Sequence, residues 1–416
     1  MADNERSGSR LPSAPIPIGI YSESHPLRAA ALWGPVGAEA VLAQAYPKTK
    51  SLFFDDMNVP LAREEMQSYS LLLEKGFDVH VISVRDSLAA SAGETVGDNG
   101  LTRQSLRTGL QQRAVDIYNE HKGRKGAIKK SRLQDLTDQL DEVLELDHAL
   151  YGEPNSIALN KMICLDPAMP LGNLIFARDQ MNVLLGTRFV SNMAKPIRQP
   201  EVALYEKFYA ENLGSQPKVP IPAGETFEGG DAYVHNGYVY VGVGDRTSMG
   251  AALAVYDALR PQLDEQNLRF AIVEDPNPKK RKFAQNMDFM HLDTFSNPIG
   301  DKEIAVCTAE AEYRRIRLVS TLDGQTTLSD GNKSFLDHLG SVEDNVVHIS
   351  TEEQQTFGCN FLTVDNDKIV VPRSANRAIN NALRRQGKAV FGGNLDESTK
   401  GYGAAHCMTG QLRRAL

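Results

Sequence analysis

Three short turns constrain this chain more than any other feature. AYVHNGYVYVGVG turns at Asn236-Gly237, FSNPIGDKEIAVC at Gly300-Asp301 and FLTVDNDKIVVP at Asn366-Asp367. Each joins two apolar runs of strand-forming residues, and a pair such as Asn-Gly supplies the positive φ of a tight hairpin. The turns are 64 and 66 residues apart. Near-constant spacing of one unit marks an internal repeat. Helical patterns complete the unit: MGAALAVYDALRPQLDEQ (249–266) runs into NLRFAIV, NRAINNALRRQG (376–387) into KAVFGG, and AREEMQSYSLLLEKG (62–76) into FDVHVISV. Apolar residues recur there every three or four positions, and a β-rich run follows. The unit is ββαβ, an α/β fold class. Each unit can bury its sheet only against other units, so a ring of units is the economical architecture.

One stretch departs from this pattern. From about 86 to 157, β-branched runs are scarce and helical spacing dominates, as in LQDLTDQLDEVLEL (133–146). This reads as an inserted helical subdomain within the first unit. The division is then a polar N-terminal arm over 1–16, a catalytic domain over 17–85 and 158–416, and the insert over 86–157.

Composition narrows the function. The 416 residues are 41% hydrophobic and 24% charged, with net charge −8. That acidity argues against nucleic acid or an anionic membrane as the main partner. KKSR at 129–132 is the best local basic patch and reads as a solvated helix start. No run reaches the eighteen apolar residues of a membrane span. Cys164, Cys307, Cys359 and Cys407 are far apart and form no CxxC pair, so neither a zinc knuckle nor a disulfide framework is expected. With no apolar signal at the N-terminus, a reducing cytoplasm is the expected setting.

The chemistry-bearing residues share one place in the repeat. FARDQ sets Asp179 before a strand-like run. FEGGDAY sets Glu228 and Asp231 around two glycines at a strand entrance. FMHLDTF sets His291 and Asp293 two apart, which on a strand gives them one face. GYGAAHCMT brings Cys407 behind small residues near the chain's end. Singly, each has an ordinary structural reading: a turn, a cap, a core histidine, a small buried thiol. In a ring, however, these places converge on the axis. A carboxylate pair suits a planar guanidinium, a thiolate suits its electrophilic carbon, and a histidine can protonate a departing amine. No metal or other cofactor is needed. Zinc at His291 and Asp293 is conceivable, but HxD alone is a weak metal signal.

With these motifs in family order, the chain resembles arginine deiminases, guanidino-group-modifying enzymes with an α/β-propeller (pentein) fold of about five units. The segment LFFDDMNVPLAREEM near residue 52 is also similar. The resemblance implies that Cys407 attacks the guanidino carbon to form a thiouronium. His291 then protonates ammonia and activates water, Glu228 holds the histidine, and Asp179 and Asp293 grip the guanidinium. It further implies that Arg198 and Arg246 bind the α-carboxylate of L-arginine, and that Asn173 and Gly401 contact its amino-acid end. A homo-oligomer is implied as well. Two positions depart from the family: Tyr402 stands where an arginine is usual near the thiol, and Pro200 replaces a polar residue. The missing cation leaves open whether water or an amine resolves the intermediate. The alternatives are therefore an amidinotransferase, a deiminase of a modified arginine, and a catalytically silent binding protein.

Overall fold

A computed structural model describes residues 17–95, 100–213, 217–278, 289–342, 344–373 and 377–415. The expected arm over 1–16 lies outside them. The fold is mixed α/β, with five sheets built on one plan. The first unit contains β1 (Leu27–Leu32) and β2 (His80–Ser83), paired in parallel. The second has β3 (Met181–Leu184), β4 (Thr187–Val190) and β5 (Lys218–Pro220). The third has β6 (Ala232–His235), β7 (Tyr238–Val243) and β8 (Arg269–Glu274). In the fourth, β9 (Ser296–Gly300) and β10 (Glu303–Cys307) precede a hairpin, β11 (Arg315–Leu322) and β12 (Gln325–Leu328), and then β13 (Asn345–Ile349). The fifth has β14 (Leu362–Asp365), β15 (Lys368–Pro372) and β16 (Ala389–Gly393). Finally β17 (Gly410–Arg414) returns antiparallel to β1 and completes the first sheet.

Four sheets thus have an antiparallel hairpin followed by a parallel strand reached through a helical connection, and in the first sheet β17 takes the antiparallel place beside β1. The β11–β12 hairpin leaves its own unit and extends the third sheet by pairing with β8. The helix Met249–Gln266 illustrates the local logic. Ser248 caps its start, Asn267 ends it in the left-handed region, and Val255, Leu259 and Leu263 share its buried face.

The first strands of successive units touch one another. Asn182 on β3 donates to Gly229 O and Ala232 O at 2.8 and 3.1 Å. Tyr233 on β6 bonds Ser296 on β9 at 2.8 Å. Thr363 on β14 donates to Pro298 O on β9 at 2.6 Å. Arg414 on β17 donates to Thr363 O at 2.7 Å, and the Arg178 amide beside β3 donates to Cys407 O beside β17 at 3.1 Å. β6 and β9 are buried along their whole length, so neither alternates between buried and exposed positions, and their polar residues, Ser296 and Asn297 among them, are buried with hydrogen-bond partners.

Turn chemistry differs from the sequence reading. Asn236-Gly237 is left-handed at both residues, as expected, but Gly300-Asp301 and Asn366-Asp367 are not. The β9–β10 turn instead falls at Asp301-Lys302, with Gly300 inside the strand. Two further hairpins use Leu185-Gly186 and Asp323-Gly324, both with positive φ. A leucine at that place carries no turn signal in sequence.

Helices occupy Val84–Thr95, Arg103–His121, Lys130–Tyr151 and Glu153–Asn160. They follow β2, so they connect the first unit to the second and do not interrupt the first. This corrects their expected position. They share one hydrophobic core with β1 through Leu106, Leu110, Leu136 and Leu140. Asp147 pins them by charge as well. It is fully buried and accepts from Arg85 at 2.7 Å, Arg63 at 2.8 Å and Asn160 at 3.0 Å. Removing one partner of a buried ion cluster strands the others. Asp147→Ala is therefore expected to lower unfolding free energy by about 3–5 kcal/mol in a urea titration.

Candidate active site

The site is assembled from the short loops that enter the first strand of each unit. Asp179 stands just before β3, Glu228 before β6, Asp293 before β9 and Cys407 before β17. Each is almost wholly buried. His291 and Asp293 are not on a strand, as the sequence suggested. His291 is the extended residue that starts a helical turn, Leu292–Phe295, and Asp293 lies within it. The Thr294 amide and hydroxyl both return to His291 O, which tightens the turn and keeps both side chains in the site.

Glycines let these loops meet. A Cβ on Gly230 would stand 2.8 Å from His291 Nδ1 and 3.0 Å from both Asp179 Oδ1 and Asp293 Oδ1. Three functional groups from two other units therefore close on one backbone position of the third. Gly229 is equally confined, because a Cβ there would meet Arg178 O at 2.0 Å.

Around the thiol, Asp293 carboxylate oxygens lie 3.7 and 3.9 Å from Cys407 Sγ. Asn360 Nδ2 donates to Sγ at 3.1 Å and to Asp293 O at 3.1 Å. Its Oδ1 accepts from the amides of Ala404 at 2.9 Å and Cys407 at 3.3 Å. One buried amide thus clips the cysteine loop from both sides. Burial, then Asp293 and Asp179, push the thiol well above its ordinary pKa, against the donation from Asn360. Cys407 is a neutral thiol in this state.

The histidine is arranged oppositely. His291 Nε2 contacts Glu228 Oε2 at 2.8 Å. Burial pulls its pKa down, but Asp179, the Glu228 hydrogen bond and Asp231 outweigh this and raise it to about 9. Burial would raise Glu228, yet Arg246 and His291 hold it well below its usual range. His291 Nδ1 and Asp179 Oδ1 face each other at 3.7 Å, both buried and neither with a hydrogen-bond partner among the described residues. Asp231 Oδ1 accepts from the Leu292 amide at 3.0 Å, so this carboxyl positions the His291–Asp293 turn. Its burial raises it to about 7.

Arg198 and Arg246 also reach the site, but both are engaged with its carboxylates. Arg198 donates to Asp179 Oδ2 at 2.7 Å and Glu201 Oε2 at 3.1 Å. Arg246 donates to Glu228 Oε2 at 3.2 Å. Asn173 donates to Ser51 O at 3.0 Å, and Gly401 packs against Phe176. Tyr402 has left-handed backbone, φ 69°, and packs edge-on to Phe54 at 5.3 Å.

Asp179, Glu228 and His291 offer ligand atoms within 4.8 Å of one another, a spacing that could suit a metal. Arg198 and Arg246 already supply positive charge to the two carboxylates. A dication there would face two guanidinium groups, so the donor set fits a metal poorly.

Sequence reasoning missed Asn360. It lies just before β14, at the place in the fifth unit that Asp179, Glu228, Asp293 and Cys407 hold in theirs. The repeat register alone could have singled it out. Also missed was the charge layer behind Asp293: His406 Nδ1 contacts Asp293 Oδ2 at 2.7 Å, and Glu23 binds Arg178 at 2.9 Å and Gln411 at 2.7 Å.

A family model for arginine deiminase matches residues 50–414. The chain belongs to the arginine deiminase family. That family consists of hydrolases of amidine C–N bonds, and this chain is an enzyme of the guanidino-modifying kind. Arginine deiminase of Streptococcus pyogenes serotype M49 is 25% identical over 429 residues, covering 97% of this chain and 99% of that protein. Arginine deiminase of Listeria welshimeri is 26% identical over 266 residues, covering 59% of this chain and 62% of that protein. An uncharacterised Bacillus subtilis protein, YkgA, is 26% identical over 58% of this chain and 70% of its own. Among solved structures, the amidinotransferase SxtG from Microseira wollei aligns with TM-score 0.54 at 12% identity, over 96% of this chain and 98% of that one. That likeness concerns the fold. Among the described residues, no helix is long and apolar enough to cross a membrane.

Gly230→Ala tests the convergence. Displacing His291, Asp179 or Asp293 by about an ångström is expected to cut turnover of any guanidino substrate roughly 100-fold. Circular dichroism should stay unchanged, since the affected atoms are side-chain tips.

Proposed function

We propose that this enzyme is an arginine deiminase, converting the guanidino group of L-arginine or a close derivative to a ureido group with release of ammonia. The observation that carries this reading is the pair of unpartnered buried groups beside the thiol, Asp179 Oδ1 and His291 Nδ1. A buried acceptor and a buried donor without partners are costly unless a ligand completes them. A guanidinium would complete Asp179 Oδ1 and reach Asp293 Oδ1 by donating N–H bonds, leaving the His291 Nδ1–H for the amine that departs. In this reading the first strands of the five units surround a central axis, as in a propeller, and the substrate enters along it.

The chemistry follows from the charges. Substrate brings a positive charge next to Cys407, opposing the two carboxylates that hold the thiol neutral. The thiol proton leaves to solvent, and the thiolate attacks the guanidino carbon. The C–N bond breaks as His291 gives its proton to the departing amine, leaving a thiouronium on Sγ. Neutral His291 then takes a proton from water, which attacks the same carbon. The C–S bond breaks with its electron pair returning to sulfur, the added hydroxyl gives its proton back to Cys407 Sγ, and the product carries a ureido oxygen. Glu228 keeps His291 charged for the first half of the cycle.

Incubation with L-arginine in amine-free buffer should release citrulline and ammonia in equal amounts, and Cys407→Ser should abolish both. Turnover that requires an added amine would replace hydrolysis by amidino transfer. Since the acid must be protonated, kcat/KM should fall as pH rises through about 9. Glu228→Gln removes a raising influence, so that limb should move to lower pH. Stability follows the same sign: the raised His291 pKa stabilises the fold fully below about pH 6.5, and this contribution is lost as pH rises through about 9. An alkaline limb unmoved by Glu228→Gln would remove His291 from the acid role.

A further inference from the structure

We propose that Asn360 is a catalytic residue of the covalent steps, its side-chain N–H stabilising negative charge on the Cys407 sulfur when the thiolate attacks and again when the C–S bond breaks. This rests on the deiminase reading, which makes Cys407 the nucleophile. Asn360 stands just before β14, at the place where the second, third and fourth units carry Asp179, Glu228 and Asp293. An ionised carboxylate there could only accept hydrogen bonds. It would add negative charge beside a sulfur that Asp293 and Asp179 already hold as a thiol. The amide keeps the shape of a carboxylate and turns one of its two terminal atoms into a donor.

The orientation of this amide follows from its partners. Oδ1 faces two donors, the backbone amides of Ala404 at 2.9 Å and Cys407 at 3.3 Å. The other end must then be the NH2 group, because a flipped side chain would set its hydrogens against two N–H groups. Both hydrogens are assigned, one to Asp293 O at 3.1 Å and one to Cys407 Sγ at 3.1 Å. The backbone is held as well, since the Asn360 amide donates to Phe357 O at 3.0 Å. Asn360 is buried, so these bonds are shielded from solvent. A donor fixed on sulfur before reaction needs no reorganisation when charge develops there.

The groups around Sγ pull in opposite directions. Burial, Asp293 and Asp179 oppose the thiolate, whereas Asn360 and the Ala404 amide favour it. Tyr402 brings no cation to the same loop. A hydrogen bond to a charged acceptor shifts an equilibrium roughly 10- to 100-fold, and this is the gain in thiolate that Asn360 supplies. The second half of the cycle gains alike, because sulfur leaves the thiouronium carbon with the bonding electron pair. Access to the thiol is from a cavity of about 180 Å³ walled by Phe54, Phe357, Tyr402 and Asn360 itself. It adjoins the sulfur, as a Cβ on Gly403 in its wall would be 3.0 Å from Cys407 Cβ.

The full chain and its Asn360→Ala and Asn360→Asp variants would be compared in two measurements. One is the rate at which iodoacetamide alkylates Cys407 without substrate over a series of pH values, followed by mass. The other is kcat/KM for ammonia release from L-arginine. Asn360→Asp keeps an acceptor for the two loop amides, so it removes the donor with the loop still clipped. Alkylation is expected to slow about 3- to 10-fold in Asn360→Ala, because the thiolate becomes scarcer but individually more nucleophilic. It should slow further in Asn360→Asp, which adds a negative charge. Turnover should fall roughly 10- to 100-fold in both. A residue that merely clipped the loop would, when replaced, let water reach the sulfur, and alkylation would be unchanged or faster. That result would overturn the proposal even if turnover fell. Turnover within about twofold of the unaltered chain in both variants would also overturn it. No ammonia from the unaltered chain, with alkylation slowed as expected in the variants, would overturn the deiminase reading and leave Asn360 as the group that stabilises the Cys407 thiolate.

Discussion

Charge balance around a dry thiol is the constraint on which this structure depends. Asp179, Glu228 and Asp293 are all buried, and buried carboxylates stay ionised only beside cations or hydrogen-bond donors. Each has its own provider: Arg198 for Asp179, Arg246 and His291 for Glu228, His406 for Asp293. The layers behind continue the pattern, since Glu23 lies between Arg178 and Arg414 with His406 nearby. No single loop could supply so many matched charges. The five-sheet plan can, because five loops enter the interior side by side and each contributes one or two groups.

Much of this plan was legible in sequence because it repeats. The ββαβ unit, the placement of acids before first strands and the late cysteine could be read from spacing alone. What escaped was non-local. Asn360 is an ordinary asparagine until β14 brings it against Cys407. His406 and Glu23 are 383 positions apart and meet only because β17 returns to β1. The His291–Asp293 pair lies together in the structure, but not by the route the sequence suggested. Alternation on a strand was assumed, whereas a capped helical turn brings the two side chains together. Leu185 likewise shows how tertiary pairing of β3 with β4 can force a left-handed turn on a residue that does not favour one.

The same balance explains how a raised thiol pKa is compatible with nucleophilic chemistry. In many reactive cysteines a permanent cation lowers the pKa. Here Tyr402 occupies the place where the family has an arginine, and the nearest charges to Sγ are negative. A thiol of this kind is protected while the site is empty, because a neutral thiol is a poor nucleophile toward adventitious electrophiles. Ionisation is then tied to arrival of a cation. In the proposed reaction, specificity for guanidinium would arise in the activation step as well as in binding, since a neutral analogue would leave the two carboxylates opposing thiolate formation.

Replacing an arginine by tyrosine at 402 thereby changes two things at once. In the proposed reaction the activating charge then comes from the substrate, and the residue on the cysteine loop is aromatic where the family has a cation. The left-handed backbone at Tyr402 and its contact with Phe54 bind the second change to the cysteine loop, because Phe54 is itself held by its amide to Lys400 O at 2.9 Å. Lys400 follows the Ser398 amide and hydroxyl that Glu65 anchors at 2.9 Å. The wall of the cavity and the approach to the nucleophile are consequently one mechanical piece, hung from the helix Val59–Leu71.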